Sequence, residues 1–397
     1  MPWKVTNTMN EKTQFAIEAQ NTDNFASLCK KFGISRKTGY KWKERFLNNG
    51  INGLEELSRR PNSHQNQLTE EVICELICIK NTHKNWGPKK IQELYRRANP
   101  KQRTPSLSSV KRIFDKAGFT KKRNTRKHTQ AGSIRRGIKA TKPNHIWTVD
   151  FKGWWLTSKQ LKREPLTIRD EFSRKILAVE ILANTRTKAV QDCFERLFEE
   201  FGLPDYIRSD NGSPFACTRS LLGLTRLSAW WLKLGINLER NRPGKPQDNG
   251  AHERMHKDIR DEIQLSNPDI SQQGFNNWMQ EYNALRPHES LNMRTPNECY
   301  EKSTRTYRPE LELDYGTMET RKVQTTSHIK LKGVTYSITT ALAGYTVGLR
   351  NLSSGLVEVW FAQQLLCYLD PSNYSVTPAQ ISPQSHREDD SLQSTIK

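Results

Sequence analysis

The stretch "HIWTVDFKGWWL", residues 145–156, decides how the chain is read. It alternates as a β-strand does, and it comes after more than a hundred residues of helical pattern. From here outward the pattern stays mixed. "EPLTIRDEFSRKILAVEIL", residues 164–182, reads as two further strands around a turn. "TKAVQDCFERLFEEFG", residues 187–202, is an amphipathic helix with Val190, Phe194, Leu197 and Phe201 on one stripe. A short strand at 204–210, a helix at 227–235, a strand at 236–240 and helices at 249–263 and 273–284 come next. Three strands and then alternating helices and strands predict a mixed α/β layer fold.

Three carboxylates fall at the mouths of these elements. Asp150 lies in the first strand, Asp210 ends the fourth in "RSDNG", and Glu253 sits in the first turns of the 249–263 helix. That helix carries a stripe of Met255, Ile259 and Ile263 for the core. Glu253 is two residues from Met255, about 200° around the helix, and so points elsewhere. The loop "RPGKPQDNG" before it can bring the helix start over the strand ends, where open α/β sheets bind ligands. Read literally, His252 to His256 is also H-E-x-x-H, the zinc-protease signature. The longer zincin pattern fails, because Ile259 and Glu262 stand where Gly and His are needed. Glu281 could serve as the downstream ligand of another zincin type, but a protease leaves Asp150 and "SDNG" without a purpose. The two histidines are expected to approach DNA or pack locally. Asp170 is expected to be a hydrogen-bonded structural residue and Asp248 a loop residue beside the site. Trp154, Trp155, Trp230 and Trp231 are read as core.

The 397 residues hold 63 Lys+Arg against 42 Asp+Glu, a net charge of +21. Nearly all the excess lies in residues 1–142, with 31 basic and 11 acidic side chains, a footprint that fits a polyanion partner. In "FASLCKKFGISRKTGYKWKERF" a helix, a glycine turn and a second basic helix match the helix-turn-helix plan. Ser35 is its cap, Trp42 packs, and Arg36, Lys37 and Lys41 are placed near a major groove. Helices at 69–82, 88–98 and 106–117 read as a second such unit. Residues 121–142 carry nine basic side chains and no acid, with Lys121, Lys122 and Arg123 expected on phosphates. Short strands at 334–339, 345–350 and 356–362, split by glycines, predict a small all-β barrel, and the polar tail from about residue 371 reads as disordered. The seven scattered cysteines form no C-x-x-C pair, and no segment approaches a membrane span. Both point to a reducing, cytoplasmic location.

With these blocks in view, "WTVDF", "SDNGSPF", "RPGKPQDNGAHERMH" and "YNALRPHESL" resemble the integrase-type DDE transposases of bacterial insertion sequences, relatives of retroviral integrase. "GISRKTGYKW", "GLEELSRRP", "GVTYSI" and "GYTVGLR" extend the resemblance over nearly the whole chain. It implies a multidomain protein. Helix-turn-helix units at 1–60 and 61–120 and a basic linker at 121–142 precede a ribonuclease H-like core at 143–305, a β-barrel at 318–370 and a tail at 371–397. It implies an acidic triad of Asp150, Asp210 and Glu253 holding two Mg²⁺, for which Mn²⁺ can substitute. Asp150 would bridge both ions while Asp210 and Glu253 each complete one site. The 42 residues between Asp210 and Glu253 exceed the commonest family spacing. Arg254, Lys257 and Arg260, further along the helix, would meet DNA phosphates. The implied activity is Mg²⁺-dependent 3′-end cleavage of element-end DNA and strand transfer into target DNA. The protein would work as at least a homodimer on double-stranded DNA near the bacterial nucleoid. The competing expectation is a transposase-derived DNA-binding regulator with an inactive core. A sequence-indifferent nuclease fits poorly with two DNA-reading units.

Overall fold

The first helix α1 (Thr8–Glu18), α2 (Phe25–Lys31) and α3 (Arg36–Asn49) close around Phe15, Leu28, Cys29, Ile34, Trp42 and Leu54. They belong to the first of two compact units, Met1–Thr69; the second runs from Glu70 to Lys397. The computed structural model describes residues 8–56, 67–120, 137–242 and 249–379. Lys121, Lys122, Arg123 and Asp248 lie outside the described residues, as does the tail beyond residue 379. The expected cap forms: Ser35 Oγ accepts from the Thr38 amide at 3.1 Å. Between α2 and α3 the chain reverses through Gly33 at a φ of 64°. Gly39 is required for a different reason. A Cβ there would lie 2.6 Å from Cys29 Sγ, so the absent side chain is what lets α3 sit on α2. Arg36, Lys37, Tyr40 and Lys41 remain exposed on α3.

In the second unit α4 (Glu70–Thr82), α5 (Pro88–Ala98) and α6 (Leu107–Lys116) bury Leu76, Trp86, Ile91, Tyr95, Val110 and Phe114. Pro88 opens α5 and Ser106 caps α6, accepting from the Ser109 amide at 3.2 Å. The central sheet then begins. Its strands are β1 (Ile146–Phe151), β4 (Leu166–Asp170) and β5 (Ile176–Glu180), with a small hairpin of β2 (Trp155–Leu156) and β3 (Lys162–Arg163) inserted after β1. Helix α7 (Thr187–Phe201), β6 (Tyr206–Ser209), α8 (Arg226–Lys233) and β7 (Asn237–Arg240) complete the sheet layer. The order is β5-β4-β1-β6-β7. β5, β4 and β1 are antiparallel, while β6 and β7 run parallel to β1. One face is apolar: Trp147, Val149, Ile168 and Ile207 pack on Phe194, Phe198 and Trp231 of α7 and α8.

The opposite face receives α9 (Gly250–Ile259) and α10 (Gln272–Ala284), with Met255, Ile259, Ile263 and Phe275 on Ile176 and Val179 of β5. The single helix expected over 249–263 is instead α9 followed by a π-helical turn, Arg260–Gln264. Such a wide turn inserts one residue into the helix and rotates the side chains beyond it. The short α11 (Pro296–Cys299) lies further along.

The second helical unit is seated on this end of the core. Arg97 of α5 reaches both carboxylate oxygens of Glu298 at 2.9 and 3.1 Å, and Asn85 donates to the Asp261 carbonyl at 3.0 Å. Behind them Arg286, 3% exposed at its side chain, bridges Asp258 at 2.9 Å and Glu262 at 3.0 Å. Its guanidinium lies 5.5 Å from the Trp86 ring and 4.9 Å from Tyr282.

The C-terminal expectation is corrected. The strands β8 (Glu319–Lys322), β11 (Thr346–Asn351), β12 (Val357–Phe361), β13 (Gln364–Asp370) and β14 (Ser375–Pro378) form an open antiparallel sheet ordered β14-β13-β12-β11-β8. β9 (His328–Leu331) and β10 (Val334–Ser337) form a separate hairpin packed on the same core. No ladder joins the hairpin to the sheet edges, so the described strands do not close a barrel. The expected disordered tail also starts too early, since β14 pairs with β13 from Ser375 to Pro378.

Replacing Arg286 by Met leaves the half-buried Glu262 carboxylate without its arginine and the buried Asp258 with only the longer 3.4 Å pair to Arg254. The expected cost is about 3–5 kcal/mol, read from urea unfolding; an unchanged midpoint would show that this clamp contributes nothing.

Candidate active site

Strand alternation places Thr148 and Asp150 of β1 on the face opposite Trp147 and Val149, and Thr167 and Arg169 of β4 fall beside them. Asp150 pairs across the ladder with Thr167. It sits one residue from the end of β1, and Asp210 comes directly after the adjacent parallel strand β6. Both carboxylates therefore lie at neighbouring C-terminal strand ends. Glu253, exposed in the first turns of α9, faces away from buried Met255 and Ile259 as its spacing demands.

The three carboxylates share one electrostatic neighbourhood. Burial first, and then the negative charges of Asp210 and Glu253, push the Asp150 carboxyl up to about 7, against one backbone amide that favours the ionised form. Asp210 accepts from the Gly212 amide at 3.1 Å, which turns the chain away from the strand end. Among the described residues no three His, Cys, Asp or Glu side chains form a ready metal cage. The donor set nonetheless suits a hard cation: three carboxylates, with Asp150 penalised for its charge by its own neighbours.

The two histidines of the H-E-x-x-H stretch point into the protein. His252 is fully buried; its Nδ1 lies 2.8 Å from Thr148 Oγ1 and its Nε2 2.7 Å from Thr167 Oγ1. His256 Nε2 is also 2.7 Å from Thr167 Oγ1. That hydroxyl donates to the Asp150 carbonyl at 2.8 Å. Its one proton is then used, so both Nε2 atoms must donate to it, and in a neutral ring His252 Nδ1 accepts from Thr148. Burial keeps both rings neutral, driving His252 well below the usual range and His256 to about 3, with nearby positive charge adding to both. Arg169 adds a third tie, donating to the Ala251 carbonyl at 2.6 Å. The helix bearing Glu253 is thus bonded to the strand bearing Asp150.

Local packing, one of the two expectations for these histidines, is what the structure shows. Thr148 and Thr167 went unnoticed in the sequence; the available signal was two threonines on the polar register of adjacent strands. Asp170 is fully buried and accepts from the amides of Asn144 and Ser173 and from Ser173 Oγ, as a structural residue. Of the four tryptophans read as core, Trp155, Trp230 and Trp231 are buried, but Trp154, in the link between β1 and the inserted hairpin, is 59% exposed. Arg254, Lys257 and Arg260 are exposed. Arg254 pairs with Asp258 at 3.4 Å and Arg260 with Asp261 at 2.9 Å.

Two models of an integrase core domain match residues 140–246 and 234–296. A helix-turn-helix domain matches residues 11–62 and a homeodomain-like domain residues 38–114. An uncharacterised protein of insertion element IS407 from Burkholderia multivorans is 24% identical over 251 residues, 59% of this chain and 81% of that protein. The Gag-Pol polyprotein of baboon endogenous virus is 32% identical over 136 residues, 34% of this chain and 7% of the polyprotein. Among solved structures, the HTLV-2 integrase catalytic core domain in complex with magnesium is 18% identical and covers 41% of this chain and all of its own, at a TM-score of 0.33. A simian T-cell lymphotropic virus intasome covers 78% of this chain and all of its own at 15% identity and a TM-score of 0.36. The chain carries an integrase core behind helix-turn-helix regions. No helix among the described residues is long and apolar enough to cross a membrane.

Thr167→Val keeps the shape of the side chain and removes the shared hydroxyl. Two buried N–H donors lose their acceptor, and a destabilisation of about 2–4 kcal/mol is expected in thermal or urea unfolding. Thr167→Ser should restore most of it; a fully stable Thr167→Val would show the histidines satisfied elsewhere.

Proposed function

We propose that this protein binds the ends of its own element, cleaves them to expose 3′ ends and transfers those ends into target DNA, using Mg²⁺ held by Asp150, Asp210 and Glu253. The observation that carries this reading is the mutual repulsion of the three carboxylates at the ends of β1, β6 and the start of α9. A site that raises the proton affinity of its own central acid is built for an added positive charge. Bound Mg²⁺ supplies activation of an attacking oxygen and stabilisation of a leaving oxygen at phosphorus, which carboxylates alone cannot do. Asp150 is the inner ligand, half-buried and fixed through its own backbone carbonyl. Asp210 and Glu253, both exposed, offer the outer positions. Manganese, with similar ligand preferences, should substitute.

The remaining roles belong to DNA. Arg36, Lys37 and Lys41 project from the exposed side of α3, the second helix of the helix-turn-helix, where a major groove would be read. Lys121, Lys122 and Arg123 are proposed to track the phosphates between the DNA-reading regions and the core. Arg254, Lys257 and Arg260, on the outer side of α9 and the turn after it, would steer the strand toward the carboxylates. Joining two element ends in one reaction requires two cores, so a dimer or larger assembly on DNA is part of the proposal, as is residence with the bacterial nucleoid.

Glu253→Gln keeps the size of the side chain and loses its charge. With labelled element-end DNA and Mg²⁺ it should lower cleavage and strand transfer by at least about a thousandfold. Binding of the same DNA should stay within about twofold, because recognition lies elsewhere. Wild-type strand transfer by this variant would remove Glu253 from the site.

A second expectation concerns salt. Plotting the logarithm of end-DNA affinity against that of salt concentration gives a slope that counts phosphate contacts. Lys41→Ala should reduce that slope by about one; an unchanged slope and affinity would mean that α3 does not touch DNA.

A further inference from the structure

The β2–β3 hairpin follows β1 after a short link, and the two tryptophans at its entry, Trp154 in the link and Trp155 in β2, have opposite fates. Trp155 is 6% exposed, packs with Met255, Ile259 and Ile263, and donates its indole N–H to the Pro268 carbonyl at 3.0 Å. The tip is braced as well. The Ser158 amide and hydroxyl bond the Asp269 carboxylate at 2.9 and 2.6 Å, and the Leu161 amide donates to Thr157 Oγ1 at 3.0 Å. The hairpin is therefore a preformed strut tied to the chain beyond α9. What it holds up is apolar: Trp154 is 59% exposed, Leu156 46% and Leu161 57%. Three large apolar side chains on one short braced element are costly to leave in water and mark a contact surface.

Charge and position identify the occupant. Residues 151–163 contain Lys152, Lys159, Lys162 and Arg163 and no acid. Lys159 and Lys162 are exposed, and the Lys162 ammonium, which also bridges Glu164 at 2.8 Å, lies 5.7 Å from the Trp154 ring. Two copies of such a patch brought together around a twofold axis would face like charges. A polyanion meets no such penalty. Trp154 is four residues from Asp150, so at most about 14 Å of chain separates it from the candidate active site.

We propose that Trp154 is a stacking platform for an unpaired base of the DNA strand engaged at Asp150, with Lys159 and Lys162 against the adjacent phosphates. The inference rests on the transposase reading in that the strand must be DNA presented to the carboxylates. An aromatic face beside cations is the combination that binds single strands without regard to sequence. The fixed hairpin adds rigidity, so little ordering is lost when a base arrives.

The test uses the full chain without metal and two DNA probes. One is a blunt duplex; the other is the same duplex with one end forked open and a fluorescent purine analogue in the unpaired segment. Wild-type protein should bind the forked probe more tightly and quench the analogue. Trp154→Ala should lose about tenfold in affinity for the forked probe and the quenching with it, while blunt-duplex binding stays within about twofold. Trp154→Phe should recover most of the preference. Equal binding of both probes by wild type, or full preference retained by Trp154→Ala, overturns the proposal. So does a change in oligomeric state without a change in preference, which would assign the face to a second copy of the chain. Because no cleavage is measured, a protein that prefers the fork yet never cuts would sink the transposase reading and leave this one standing.

Discussion

The central strand of the sheet has one apolar face and one polar one, and that asymmetry dictates much of the integrase core. Trp147 and Val149 bury into the α7–α8 layer, while Thr148 and Asp150 point the other way, on the side that α9 covers. A polar face cannot be covered by hydrocarbon alone without leaving hydroxyls and carbonyls unsatisfied. The covering helix must bring its own polar atoms, and α9 brings His252 and His256. The same two residues that imitate a zinc signature are thereby committed to a structural task, and the glutamate between them, about 100° around the helix from His252, is exposed.

This explains why the carboxylates arrive from such different places. Asp150 and Asp210 are delivered by neighbouring parallel strands, for which the sheet alone suffices. Glu253 comes from an element that no ladder holds, so its position depends on side-chain bonding to β1 and β4. At its far end the same segment is gripped by Arg286, which also carries Trp86 of the second helical unit against it. The integrase core and the α4–α6 unit thus share one charged, largely buried joint.

The central elements were legible because their periodicity is strong. The stripe of α7 and the four-residue spacing along α9 read correctly from single side chains, while the strand read over 145–156 ends at Phe151 and its last two residues belong to the separate β2–β3 hairpin. The caps at Ser35 and Ser106 did too, since a cap is a local contract between residues three apart. What escaped was non-local or short. The ion pair from Lys89 to Glu289 and that from Arg97 to Glu298 join residues some two hundred positions apart. The two-residue strands β2 and β3 carry too few side chains for alternation to separate Trp154 from Trp155. In the C-terminal region β8, "ETRK", has no apolar side chain in its own run, so the sheet looked smaller and more closed than it is. The carboxylate positions were read from strand ends and a helix stripe, but the threonines that hold them carry no signature of their own.

Apolar contacts tolerate sliding, because one methyl group serves about as well as another. The bonds between α9 and the sheet do not. Three ring nitrogens each have one hydroxyl within reach, and a shift by a single residue along the helix would part all of them together. The axial position of α9 is therefore stepped, like a pawl in a ratchet, with one notch and steep walls on either side. Glu253 inherits that property, standing at full reach of Asp150 or well out of register.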